Sequence, residues 1–390
     1  MFKIKDFIVS TLIILVTIEV FALVAIKLLH YTNIWYKYPT YLYWGPSIQE
    51  NYDPLGPHYI DTDSVSWATW HIPNSEIRHK GDCFDVNMRF NSMGARGILP
   101  DKNDKNNTIF LGDSFIEGFA LAENETIPAQ YSQFKKTSVL NLGGGGSFGS
   151  TQMAMIYDSI GQSFKHKAVI VCLYLENDFI DDDISLAYPK RYRPYLVKSS
   201  DGKSFNIVYK DSLHHSIAKA NAYQKGQKIE RVQKYSISDY FKLKDKPFIQ
   251  KLVSLTHTSR FFMEIYYRAK SKKQEPMEVQ FTQNNVEILK YNLAKIAKRA
   301  EKEGAEMYVL NIPSKYLMYA LETNLNYKTK IDSVINHCLV GQKAHYLDLT
   351  QHILNKKTPI NELYFNCDSH FNTHGSFIMA EYLLYHTNTK

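Results

Sequence analysis

The run Ala168-Val169-Ile170-Val171-Cys172-Leu173-Tyr174 constrains the fold more than any other feature of the chain. A strand with one face in water alternates apolar and polar side chains. This run does not alternate, so both of its faces must be covered, as in a parallel sheet lying between two layers of helices. Four further β-like runs flank it: Thr108–Leu111, Ser138–Leu142, Met307–Ile312 and His345–Leu349. Helical stretches fill the gaps at Thr126–Lys136, Thr151–Phe164, Gln283–Glu303 and from about Gly375 to His386. In the third of these, Val286, Leu289, Leu293, Ile296, Ala297 and Ala300 share one face, with Thr282 placed as N-cap and Gly304 as stop. The expectation is an α/β chain: a three-layer α/β/α sandwich with a mainly parallel sheet.

A second feature lies outside that domain. Phe7 to Leu29 is almost continuously apolar, interrupted by Glu19 and Lys27. About 20 such residues suffice for a helix to cross a bilayer. A cleaved leader would have a shorter apolar stretch and a small-residue cleavage site, and a buried core helix would seldom be so uniformly apolar. Lys27 can snorkel to the interface, whereas Glu19 is costly unless it is protonated or paired. Lys3 and Lys5 precede the run, which argues for an N-terminus on the cytoplasmic side and a domain on the exported side of the inner membrane. The expected organisation is an anchor over residues 1–30, an extended connection and lead-in over 31–106, and the α/β domain over 107–390. Residues from about 185 to 280 break the alternation and read as an insertion, with a helix over Phe248–Lys270.

Composition narrows the partners. The 44% hydrophobic content is that of a chain with a sizeable core. The formal charge of +7 is spread along the sequence, and its densest part, Lys225 to Lys273, is interleaved with apolar residues. No concentrated basic stripe or nucleic-acid module is present, so a nucleic-acid partner is not expected. Of the cysteines, Cys83, Cys172, Cys338 and Cys367, none forms a C-x-x-C pair. That pattern speaks against a zinc or thioredoxin-like motif. One disulfide is open to an exported domain, without a pairing that sequence can assign. The acidic run Asp181-Asp182-Asp183 reads as a solvated turn rather than a cation site, and neither metal nor cofactor is expected.

The chemistry concentrates at Ile109-Phe110-Leu111-Gly112-Asp113-Ser114-Phe115. A serine just past the C-terminal end of a buried parallel strand sits in the crevice where open α/β sheets bind ligands. The next helix would aim its first amides and the positive end of its dipole there, which suits a nucleophile facing a developing oxyanion. Asn141-Leu142-Gly143-Gly144-Gly145-Gly146-Ser147 follows the second strand, Glu176-Asn177-Asp178 the third, and Cys367-Asp368-Ser369-His370-Phe371-Asn372 lies near the end.

These four segments, in this order, resemble the sequence blocks of the SGNH (GDSL-type) hydrolases, and Asn91-Ser92-Met93-Gly94-Ala95-Arg96-Gly97 looks like the lead-in seen in bacterial members. The likeness spans roughly residues 108 to 375. It implies a flavodoxin-like fold with Ser114 as nucleophile, His370 as base and Asp368 as the acid that orients it. It also implies an oxyanion hole from the amides of Ser114 and Gly146 and the side chain of Asn177, with Gly143 or Gly145 as alternatives to Gly146. The acid lies two residues before the histidine rather than three, a spacing similar to that of alginate-acetylation-type members. His374 is the runner-up base. The implied activity is that of an esterase acting on an acyl, in particular acetyl, ester of a small molecule or a cell-envelope glycan. An O-acetyltransferase and an inactive glycan-binding module are the alternatives.

Overall fold

The computed structural model describes residues 4–31, 59–61, 66–80, 83–145, 148–174, 177–186, 193–202, 204–210, 230–232, 256–259, 261–262, 265, 281–321, 326–365 and 368–387. Two compact units divide the chain. One comprises residues 1–52, 233–275 and 366–368, and the other the remainder.

In the second unit five strands form one sheet: β1 (Thr108–Gly112), β2 (Val139–Gly143), β3 (Ala168–Tyr174), β4 (Glu306–Ile312) and β5 (His345–Leu347). Their spatial order is β2-β1-β3-β4-β5 and every pairing is parallel. The helices that concern the site are α2 (Ser114–Glu117), α3 (Ile127–Lys135), α4 (Ser150–Ser159), α5 (Asp178–Asp182), α6 (Gln283–Glu303), α7 (Asn326–Leu339), α8 (Leu349–Lys356) and α9 (Thr373–His386), following a long N-terminal helix α1 (Ile4–Tyr31) in the first unit.

Because side chains alternate across a strand, an unbroken apolar strand feeds two cores at once. Val169, Val171 and Leu173 pack with Ile109, Leu111, Met307 and Val309 against α4, α6 and α7. Ala168, Ile170 and Cys172 pack with Phe110, Tyr308 and Leu310 against α3, α8 and α9. Three layers result. The amphipathic stripe of α6 faces the first core, with Ile288, Leu289, Leu293, Ile296 and Ala300 buried. Thr282 caps α6 by accepting from the Asn285 amide, and Gly304 ends it at φ 74°. The strand order reverses between β1 and β3, so their C-terminal ends form the switch point at which such sheets open a crevice.

The stretch before β1 is more structured than an extended connection. Tyr59–Asp61 pairs antiparallel with Thr69–His71, and Glu76–Lys80 with Asp85–Arg89. The insertion opens with an antiparallel hairpin, Arg193–Lys198 with Phe205–Lys210, and Glu230–Val232 adds in parallel to Glu76–Lys80. Of the helix expected over Phe248–Lys270, residues 257–259, 261–262 and 265 are helical and the rest lie outside the described residues. Cys172 and Cys338 are buried free thiols, whereas Cys83 is disulfide-bonded.

In the first unit, α1 includes the 23-residue stretch Asp6–Leu28, whose most apolar 18 residues have a mean hydropathy of 2.7 and little burial. It is long and apolar enough to cross a membrane. Glu19 does not stand alone on it: its carboxylate accepts hydrogen bonds from the amides of His257 and Thr258 and from the Thr258 hydroxyl.

Candidate active site

Ser114 is the first residue of α2, directly after β1. The turn into that helix is tight. Asp113 is its N-cap, and one carboxylate oxygen accepts from the Phe115 amide at 3.0 Å. The packing beneath is close enough to exclude side chains. A Cβ on Gly112 would lie 2.4 Å from Ile116 Cγ1, and one on Gly143 would lie 2.1 Å from the Glu117 nitrogen. The glycine cluster after β2 therefore begins by letting α2 rest on the sheet end. Asn141 completes that seat by donating from Nδ2 to the Ile116 carbonyl at 2.8 Å while accepting from the Gly143 amide at 2.9 Å. Gly145 follows Gly144, whose own Cβ would meet the Phe148 ring, and Gly146 lies outside the described residues.

His370 arrives from 256 residues further along the chain, and its Nε2 stands 2.7 Å from Ser114 Oγ. Local bonds set the loop that carries it. Tyr364 and Phe371 form an antiparallel bridge, and the Phe365 amide donates to the His370 carbonyl at 3.0 Å. Asn372 then caps α9 through Oδ1 and ties Nδ2 back to the Glu362 and Tyr364 carbonyls. The imidazole lies between two aromatic rings, with centroids 4.3 Å from Phe119 and 4.8 Å from Phe115. Asp368 is half-buried two residues earlier. His374 is exposed in the first turn of α9, and it is His370 that reaches the serine.

Asn177 follows β3 and precedes α5. It occupies the N-cap position but makes no capping bond with its side chain, and its Oδ1 has no hydrogen-bond partner among the described residues. Asp178 accepts from the Tyr174 amide at 2.9 Å, which closes the β3–α5 turn. Thus Oδ1 of Asn177 is not consumed by local structure among the described residues.

The acidic run corrects the expectation of a solvated turn. Asp181, Asp182 and Asp183 are all buried. Asp182 caps the distant helix α4, accepting from the Ser150 and Thr151 amides and the Ser150 hydroxyl. Asp181 pairs with Arg193 at 3.0 Å, both side chains fully enclosed. Asp183 holds Ser185. The sequence does not reveal this because Ser150, Thr151 and Arg193 reach the acidic run from other elements. Among the described residues no group of three or more His, Cys, Asp and Glu is arranged to hold a metal ion.

Burial dominates the electrostatics. Asp113 is almost wholly enclosed, and loss of water pushes its carboxyl up to about 7 despite the Phe115 amide and the nearby His370 ring, with Asp181 adding in the same upward direction. Asp178 is pushed up as well, first by burial and then by Asp113 and Asp181.

No protein-family model matches the chain, and no curated protein matches it in sequence. A solved structure is similar. It comes from Desulfitobacterium hafniense and is described as a lipolytic protein of the G-D-S-L family. The identity is 11% and the TM-score 0.32, over 72% of this chain and 98% of that one.

Proposed function

We propose that the chain is a membrane-tethered serine esterase of the SGNH type. One observation carries the reading: a serine hydroxyl at the switch point of a parallel sheet lies 2.7 Å from a histidine nitrogen brought from the other end of the domain. Nucleophile and base within hydrogen-bond reach are what acyl transfer needs. In the reaction Ser114 attacks the ester carbonyl while His370 Nε2 takes its proton. The tetrahedral oxyanion is met by the Ser114 amide, the amide of Gly146 and the side-chain amide of Asn177. Collapse expels the alcohol, protonated by His370, and leaves an acyl-serine. A water, deprotonated by the same imidazole, then releases the acid. Asp368 is assigned the role of orienting the imidazole and stabilising its cation.

The substrate class is an acyl ester, with acetyl the first group to try, carried by a small molecule or an envelope glycan. With α1 as the anchor and its N-terminus on the cytoplasmic side, this activity would face the exported side of the inner membrane. Asn177 Oδ1 has no partner among the described residues, so no bond at that atom fixes the amide against turning its Nδ2 toward a substrate oxygen, which supports the oxyanion role.

The test is labelling with a serine-directed fluorophosphonate. Wild type should label, and Ser114→Ala and His370→Ala should not. Equal labelling of all three would remove Ser114 as nucleophile. Incubation with p-nitrophenyl acetate, with and without an acceptor glycan, then separates hydrolysis from transfer by whether the acetyl group ends as free acetate or as an ester on the glycan.

A further inference from the structure

The lead-in Asn91–Gly97 takes no part in the reaction just described, yet it is built with care. Asn91 Oδ1 accepts from the amides of Met93 and Ala95, and its Nδ2 donates to the Gly97 carbonyl. Gly94 and Gly97 hold φ of 73° and 84°, the left-handed region that glycine enters at no steric cost. A Cβ on Gly94 would also lie 2.5 Å from the Trp70 indole nitrogen. Two polar turns and two glycines thus fold a seven-residue loop back on itself.

What the loop delivers is Arg96. Its backbone bridges both Phe90 and Asn141, and its side chain is 3% exposed. Nη1 donates to the carbonyls of Glu117 at 3.1 Å and Gly118 at 2.6 Å, and Nη2 donates to that of Leu121 at 2.5 Å. The first two carbonyls belong to the last residue and the C-cap of α2, the four-residue helix whose first residue is Ser114, and Leu121 lies three residues further on. The last carbonyls of a helix have no partner within it, and a single turn has little cooperative strength of its own. Lysine is not equivalent here: its donors share one nitrogen, whereas the planar guanidinium spreads these bonds over Nη1 and Nη2. A cation at that end also complements the helix dipole.

We propose that Arg96 is a positioning residue for Ser114. By tying the exit of α2 to the lead-in loop, it sets where the helix begins, and so where Oγ stands relative to His370. The inference rests on Ser114 being the nucleophile, and the experiment separates the two.

The full-length protein, Ser114→Ala, Arg96→Lys and Arg96→Ala are reacted with the fluorophosphonate, and both rate constant and final labelled fraction are recorded. If wild type does not label, or Ser114→Ala labels equally, the nucleophile assignment has failed and the inference falls with it. With that control passed, the Arg96 variants should reach the wild-type endpoint at a rate roughly 10- to 100-fold lower, because small misplacements of a reacting group carry penalties of that order. A merely structural role predicts the reverse: a reduced endpoint with an unchanged rate constant for the protein that remains folded. That result, or labelling at the wild-type rate, overturns the proposal. So does failure of both variants to fold by near-ultraviolet circular dichroism, which would make Arg96 a stability residue alone.

Discussion

Asp113 and Ser114 are neighbours in sequence with opposite surroundings. Ser114 is half-buried and meets His370, whereas Asp113 is enclosed, with one oxygen on the Phe115 amide and the other unpartnered among the described residues. The consequence is a pH dependence with a definite sign. The folded-state pKa, about 7, lies above the ordinary value of 3.8, so the folded protein holds a proton that the unfolded chain has lost. This contribution to stability is fully present below about pH 4 and is lost as pH rises through about 7. Asp113→Asn keeps an acceptor for the Phe115 amide and removes the ionisation. It should therefore gain on wild type across that window, by up to about 1.4 kcal/mol per pH unit. Urea denaturation of both proteins between pH 4 and 8 measures it. A difference that stays constant with pH would show that the carboxyl ionises freely in place.

At the scale of elements, the short helix α2 depends on what lies under and behind it. Asn141 takes the Ile116 carbonyl, and the bare backbone of Gly143 lets the helix approach the end of β2. Gly143→Ala would drive a methyl into the Ile116–Glu117 peptide, which is main chain and cannot swing aside. The expected cost is about 1–3 kcal/mol, the usual range for overpacking a well-filled site. Slower fluorophosphonate labelling should accompany it. Wild-type stability by urea denaturation would mean that α2 can lift off the sheet without loss. The elements themselves were largely legible: β3 and α6 occupy the residues their patterns predict, because seven unbroken apolar positions and a 3.6-residue stripe leave little alternative. The hairpin Arg193–Lys198/Phe205–Lys210 was missed, although a Ser-Asp-Gly turn between two short apolar-centred runs, with Gly202 at φ 67°, was its signal.

At the scale of the molecule, the two compact units raise the question of what α1 does. A carboxylate in a bilayer is tolerated when its oxygens are met by donors, and Glu19 has three from His257 and Thr258. We expect the full-length chain to remain in the membrane pellet through alkaline carbonate extraction. A version lacking residues 1–31 should pass to the supernatant. Release of the full-length chain by the same treatment would sink the tether.

The division between what sequence determined and what tertiary structure decided follows from the range of the interactions. Strands, helices and the serine's place at a strand end are set by period and by residues within a turn or two, so they could be read directly. The glycines after β2 pointed to a close backbone approach, but not to α2 as the neighbour that requires it. The acidic run of α5 read locally as a solvated turn and is instead a buried cap and ion pair, because Ser150, Thr151 and Arg193 come from other elements. The meeting of Ser114 with His370 and of Arg96 with the Glu117, Gly118 and Leu121 carbonyls is likewise fixed only when the sheet order brings distant segments together. A hydrogen bond between groups 256 residues apart leaves no periodic trace in the chain. It exists because the observed strand order, β2-β1-β3-β4-β5, places two loops at the same end of the sheet.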